Sequence, residues 1–482
     1  MMTDVITIKK YDEVYNKLIC DPGIMMEISD YFTFDVPGAK FTPAYKSKFW
    51  DGKIRLVNIM SGLLYAGLKD QVELFCKNRE YEFQQEGDFG DQEFSVNEAN
   101  SFIEKLKPKH LPRDYQFDAF LHAVRKKRAV LLSPTGSGKS LIIYLLCCWY
   151  RKKTLIIVPT TSLVHQMSSD FVDYGLPEKG YIHKIMSGEE KASDCLFTVS
   201  TWQSIYKMPK SWFDQFDVVI GDEAHTFKAK SLTSIMTKLT DCEYRFAFTG
   251  TLDGTLTNKL VLEGLFGTVR KVATSSELME KKQLSDLIIK AIVLQYPEDI
   301  KKTFCKVDYQ VEMDYIVQNL KRNNFIKNLA LSLEGNTLLL FQYVEKQGKV
   351  IHDLISKNSA ERKTFLIHGS VDGEKRDEIR KILKDETNAI LTASYGTTQA
   401  GINIPNLSNL IFCSPSKSVV RNLQSIGRVL RTAEDKKFAT LYDIADDLSW
   451  KSKKNHTLGH FVERIKIYNN EQFNYKIYNV TL

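Results

Sequence analysis

Ala129-Val130-Leu131-Leu132-Ser133-Pro134-Thr135-Gly136-Ser137-Gly138-Lys139-Ser140 is the stretch that decides the fold. Four apolar residues of buried-strand type run into a Gly/Ser loop, and Leu141 to Tyr150 follows as an apolar stretch of helical length. Glycine lets backbone wrap closely around phosphate oxygens, and the helix N-terminus adds N–H donors and a positive dipole end. Thr135, Gly136, Ser137 and Gly138 would line the phosphates and Lys139 would reach the β- and γ-phosphates. The Ser140 hydroxyl would ligate Mg²⁺. Ser133 stands where the general pattern has glycine. The competing reading, a chance Gly/Ser turn, is disfavoured by the strand and helix on either side. The expected ligand is a nucleoside triphosphate.

Working outward, Asp217-Val218-Val219-Ile220 is another short apolar strand, and it runs directly into Gly221-Asp222-Glu223-Ala224-His225. A carboxylate at the end of a core strand can hold the Mg²⁺ bound by Ser140, and its neighbour can orient and deprotonate a water. Asp222 is the metal candidate and Glu223 the base. Two adjacent acids in a loop are otherwise an ordinary solvated turn, and it is the strand context that favours chemistry. Further on, Gln424, Arg428 and Arg431 fall at i, i+4 and i+7, one face of a helix. Two guanidiniums on one face call for an anion, and a γ-phosphate in transit would serve, in the manner of an arginine finger. The bland alternative is a surface helix paired with local acids. Arg428 has no acid at i±3 or i±4, whereas Arg431 has Glu434 and Asp435.

The 482 residues exceed what a single core sustains, so two or three domains are expected. Ala129–Leu132, Thr154–Val158, Leu196–Ser200, Asp217–Ile220 and Arg245–Phe248 read as buried parallel strands, and a second series follows at Thr337–Phe341, Thr364–Ile367, Ala389–Ala393, Asn409–Cys413 and Phe438–Asp443. Two series in tandem imply an α/β fold of two doubly wound parallel-sheet domains. The phosphate loop lies in the first and the arginines in the second, so the nucleotide is expected between them. The expected boundaries are 1–91 for a small α+β domain, 92–275 and 276–482 for the two larger ones. The linker falls in Gly267 to Ser285, the last domain ends in a helical tail, and Glu80 to Asn97 reads as an acidic connector.

In the N-terminal part, Trp50-Asp51-Gly52-Lys53 is a two-residue hairpin signal, since Asp-Gly favours a type I′ turn. Such a hairpin would set Lys46, Lys48, Trp50, Lys53 and Arg55 on one face and send Phe49, Ile54 and Leu56 to the core. Cations around an aromatic ring suit a phosphate backbone or an exposed base. The alternative is a solvated hairpin face.

Bulk properties narrow the classes. Hydrophobic residues make up 43% and charged residues 26%, as in globular proteins, and the longest apolar runs are too short to span a bilayer. Eight scattered cysteines without paired Cys-x-x-Cys motifs indicate neither zinc nor a disulfide framework. The opening residues form no signal sequence, so a cytoplasmic location and no membrane partner are expected. A net charge of +7 is compatible with nucleic acid.

Gln116, Ser133–Ser140, Asp222–His225, Thr249-Gly250-Thr251 and Gln424–Arg431 occur in the order of the motifs of superfamily-two helicases. Asp-Glu-Ala-His places the chain on the DEAH-box-like side. Ile157–Leu163, Ser394-Tyr395-Gly396 with Gly401, Gln424–Arg431 and, upstream, Phe49–Leu56 resemble the UvsW-type recombination helicases of T4-like phages. That resemblance implies two RecA-like domains and an ATP-dependent DNA helicase acting on branched or duplex DNA, in fork regression, branch migration and hybrid unwinding, with 3′ to 5′ movement. It also implies a monomeric motor in the bacterial host cell, with ATP and Mg²⁺ as cofactors and no protein partner specified. By the same resemblance Arg113 and Gln116 recognise adenine, Gly401 contributes to the nucleotide site, and Thr249 and Thr251 couple hydrolysis to domain motion. Thr160, Thr201, Gln203 and His368 lie on the DNA side. Rival readings are a double-strand translocase that never separates strands and a nucleic-acid clamp with a vestigial ATPase. Against the clamp stands the complete set Lys139, Ser140, Asp222, Glu223, Arg428 and Arg431.

Overall fold

The computed structural model describes residues 4–482 except 37, 178, 187, 227–228, 253–255, 400–405, 415, 417 and 431–437. At 226, 229–230, 256–258, 373–374, 377, 380, 384, 398–399, 419–421, 424 and 428 it describes the backbone alone. The chain forms two compact units, Met1–Ser133 with Gly138–Val272, and Pro134–Ser137 with Ala273–Leu482.

In the first unit a seven-stranded sheet runs Ile182–Ile185, Phe197–Thr201, Thr154–Val158, Val218–Asp222, Tyr244–Thr249, Arg128–Leu132, Val269–Lys271. Every neighbouring pair is parallel. Parallel strands covered on both faces read as continuous apolar runs, and Thr154–Val158 is buried at all five positions. The order places Val218–Asp222 centrally, with its acidic end at the carboxyl edge of the sheet. Helix Lys139–Tyr150 buries eight successive residues, Leu141 to Cys148, which no surface helix could do.

The second unit repeats the architecture as Thr364–Ile367, Ile390–Ser394, Asn336–Phe341, Leu407–Phe412, Phe438–Asp447, Asp286–Gln295, Tyr475–Thr481, again all parallel. Both expected series of strands are present as expected. The sequence reading missed the long strand Asp286–Gln295 and the terminal strand Tyr475–Thr481, whose exposed residues carry no buried-strand pattern. The stretch read as a linker holds strand Val269–Lys271 and helix Ser275–Glu280. Buried pairs join the elements of this unit: the Arg322 guanidinium donates to Asp446 at 2.7 Å and Arg464 donates to Asp443 at 2.9 Å. Arg464 also donates to the Ser416 carbonyl at 3.1 Å, just ahead of helix Val419–Val429.

Residues 5–86 form a five-stranded sheet, ordered Val57–Asn58, Leu63–Tyr65, Tyr15–Ile19, Val5–Lys10, Glu82–Glu86. Glu82–Glu86, read as part of a connector, is a strand that pairs in parallel with Val5–Lys10. This sheet shares one apolar core with the first parallel sheet, from Ile6 and Phe75 through to Val219 and Phe266. The approach is close at Gly67, where a Cβ would stand 2.0 Å from the Glu263 carbonyl oxygen of helix Leu256–Phe266.

The expected hairpin at 48–55 does not form. Thr42 caps a short helix, Pro43–Lys46, and Lys53–Arg55 pairs instead with Thr33–Asp35. Phe34 opposite Ile54 supplies an apolar cross-strand pair that Lys48 opposite Arg55 would have lacked. Gly52 does turn the chain (φ +82°), and the Asp51 carboxylate accepts from the Lys53 amide at 3.1 Å. Leu56 is buried and Ile54 half-buried as expected, but Phe49 is 91% exposed and not part of the core.

Candidate active site and nucleic-acid surface

Strand Arg128–Leu132 delivers the loop and helix Lys139–Tyr150 carries it away. Gly136 (φ +87°) and Gly138 (φ +74°) hold left-handed backbone, whereas Ser133 does not, which is why serine is tolerated there. Gln116 is buried and bridges this loop: its amide donates to the Gly138 carbonyl at 3.3 Å, and its oxygen accepts from the Arg113 amide at 2.8 Å. Any Cβ at Gly138 would stand 2.4 Å from the Gln116 amide nitrogen. Lys139 Nζ donates to the Ser133 carbonyl at 3.3 Å and lies 3.4 Å from Glu223 Oε1. The Ser140 hydroxyl shares a 2.7 Å hydrogen bond with the Tyr174 phenol.

Asp222 ends its strand fully enclosed, and burial together with the Glu223 charge pushes its carboxyl well above the usual range, against the pull of Lys139. Glu223 follows with φ +50°, a costly conformation for a residue with a side chain. That turn brings its carboxylate back toward Lys139 and places Oε2 3.5 Å from His225 Nδ1. His225 Nδ1 in turn lies 2.5 Å from the Thr249 hydroxyl, which donates to the Thr251 carbonyl at 2.8 Å. Sequence spacing gave no sign of this His225–Thr249 link, because it joins the ends of two neighbouring parallel strands.

Ser140 and Asp222 are hard oxygen donors, and the two enclosed carboxylates face a single lysine. A divalent cation carried by phosphates fits such a donor set and its excess negative charge. Among the described residues no group of three or more His, Cys, Asp or Glu side chains could hold a metal by itself. The arrangement can bind a nucleoside triphosphate with its cation and set a carboxylate beside an attacking water.

Thr201 ends its strand opposite Val158, the last residue of the adjacent parallel strand, and Thr160 lies two residues beyond Val158, so both stand at the carboxyl edge of the sheet. Thr160 caps helix Thr161–Tyr174. Thr201 is buried and shares a 2.9 Å hydrogen bond with Ser204, and the exposed Gln203 amide donates to the Pro159 carbonyl at 3.5 Å. In the second unit half-buried His368 follows strand Thr364–Ile367, and Gln424 and Arg428 fall on helix Val419–Val429. Gly401 and Arg431 lie outside the described residues.

Around the N-terminal turn the expected single face is redistributed. Arg55 is paired with Asp51 at 2.5 Å, which holds that carboxyl at about 2, and the Trp50 indole donates to the Lys53 carbonyl at 2.8 Å. Lys46, Lys48 and Lys53 are exposed, and so are Phe41 (71%) and Phe49 (91%). The sequence reading had buried Phe49, because strand alternation was applied where a helix and turn stand. No helix among the described residues is long and apolar enough to cross a membrane.

Comparisons with known proteins match this geometry. Residues 5–86 match the family described as DNA helicase UvsW, N-terminal; residues 100–254 match type III restriction enzyme, res subunit; residues 320–433 match the helicase conserved C-terminal domain. The chain is 35% identical to the ATP-dependent DNA helicase uvsW of Enterobacteria phage T4, over 98% of this chain and 99% of that protein. It is 25% identical, over 68% of this chain and 80% of the other, to the DNA 3′-5′ translocase XPB2 of Sulfurisphaera tokodaii. The crystal structure of T4 UvsW aligns over 99% of both chains with a TM-score of 0.53 at 32% identity. With two RecA-like parallel sheets and this whole-length likeness, the chain belongs to the UvsW family of ATP-dependent DNA helicases.

Proposed function

We propose that this helicase remodels branched DNA, by fork regression, branch migration and displacement of RNA–DNA hybrids, as a monomeric motor moving 3′ to 5′ in the cytoplasm of a bacterial host. The observation that carries the reading is likeness to T4 UvsW over the whole chain, including the N-terminal part matched as UvsW-specific. Likeness to a protein named a 3′-5′ translocase supports the polarity.

In this reading the modules are 1–91, 92–275 and 276–482. Arg113 and Gln116 frame the adenine, Thr135 to Ser140 and Gly401 hold the phosphates, and Ser140 and Asp222 take the Mg²⁺. The cation would supply charge neutralisation on the phosphate oxygens. Lys139 exchanges its contact with Glu223 for the phosphates, which frees Glu223 to accept the water proton. Gln424, Arg428 and Arg431 answer the charge that develops on the γ-phosphate. Thr160, Thr201, Gln203 and His368 meet the DNA backbone, Thr201 through its main chain because its hydroxyl is engaged. At the N-terminal turn Lys46, Lys48 and Lys53 meet phosphates while Phe41 and Phe49 offer rings to exposed bases. Trp50 and Arg55, already engaged locally, shape the turn.

A gel assay of a synthetic four-way junction, a fork and a blunt duplex, each with and without ATP, tests this. ATP-dependent conversion of junction and fork is expected. Translocation on duplex without any conversion of junctions would favour the strand-retaining motor suggested by the restriction-subunit match.

A further inference from the structure

Helix Thr161–Tyr174 ends where Gly175 takes φ +117°, and its last side chain turns toward the phosphate-loop helix. There the Tyr174 phenol meets the Ser140 hydroxyl at 2.7 Å. Tyr174 is held from the other side as well. Its carbonyl accepts from the Lys109 amide at 3.1 Å, and the His110 ring stands edge-on to it at 5.9 Å. No helicase motif in the sequence contains Tyr174, and nothing in its spacing marks it.

We propose that Tyr174 is a positioning residue for Ser140, fixing the serine hydroxyl in the orientation that receives the nucleotide's cation. The inference rests on reading Ser140 as a ligand of Mg²⁺. A serine hydroxyl ligates through oxygen lone pairs, so its single proton must point away from the cation toward an acceptor. The phenol oxygen is that acceptor, at a place fixed by the end of the helix. Without it the hydroxyl rotates freely and must be ordered at the moment of binding.

Binding of a fluorescent ATP analogue to the full-length protein, titrated with Mg²⁺ and in EDTA, tests the idea in wild type, Ser140→Ala, Tyr174→Phe and the double variant. In EDTA all four should bind alike. Tyr174→Phe should raise the half-saturating Mg²⁺ concentration by about 10-fold, as for loss of an outer partner of a metal ligand. Ser140→Ala should raise it at least as far, and Tyr174→Phe should add nothing in that background. If Ser140→Ala has no effect on the Mg²⁺ dependence, the ligand reading itself fails. If Ser140→Ala acts while Tyr174→Phe does nothing, or the two add independently, the positioning role is overturned. A lowered Mg²⁺ requirement in Tyr174→Phe would also overturn it, showing that the phenol competes with the cation.

Discussion

The loop at 133–140 and the turn at 43–56 are both built around glycines with positive φ, yet their surroundings differ in kind. At the loop 133–140 the elements that shape the turn are local: strand, two left-handed glycines and a buried helix follow one another without interruption. At the N-terminal turn the deciding partner is remote, since Lys53–Arg55 pairs with Thr33–Asp35 and leaves its sequence neighbours to form a helix. A turn signal specifies where the chain reverses, whereas a strand takes whichever partner buries more apolar surface. The lesson is that glycine placement identifies a site only when the elements it connects are adjacent in sequence.

The largest effects should fall on the loop and its carboxylates. Lys139→Ala should abolish ATP hydrolysis while leaving DNA binding nearly intact, and Glu223→Gln should bind ATP without turning it over; steady-state ATPase and nucleotide-binding assays check both. Arg428→Ala should lower kcat by about 10³-fold with little change in nucleotide affinity, the signature of a group acting in the transition state. Equal losses in rate and affinity would move it to ground-state binding.

Next come the glycines. Gly138→Ala must place a Cβ 2.4 Å from Gln116 in left-handed backbone, so a loss of about 1–3 kcal/mol is expected in chemical denaturation, along with nucleotide affinity. Gly67→Ala sets a Cβ against backbone, 2.0 Å from the Glu263 oxygen, and should destabilise the N-terminal sheet together with the first parallel sheet in one transition. Two separate transitions would show that the N-terminal module is independent after all.

Smaller effects belong to the turn. Replacing Lys46, Lys48 and Lys53 by alanine should reduce the slope of log affinity against log salt by about 3, near one unit per lost phosphate contact. Arg55→Ala, whose charge is already met by Asp51, should change that slope by less than any one of the lysines. Phe49→Ala should leave stability within about 0.5 kcal/mol, as for an exposed position, yet weaken binding to forked more than to blunt DNA. Equal weakening on both would assign Phe49 to packing against the backbone rather than to bases.

Sequence by itself determined the two parallel-sheet units, the main strands of each, and the Gly/Ser loop and acidic pair Asp222 and Glu223 at the ends of their strands. Buried parallel strands must be continuous apolar runs, and phosphate chemistry must sit at their carboxyl ends. Tertiary structure alone decided the partner of Lys53–Arg55, the exposure of Phe49, the Glu82–Glu86 strand, the His225–Thr249 link and the Tyr174–Ser140 pair. The pairings among these join residues far apart in the chain, where local propensity is silent and the choice among partners is made by which packing leaves the fewest polar groups unmet and the least apolar surface in water, and the exposure of Phe49 follows from the first of them.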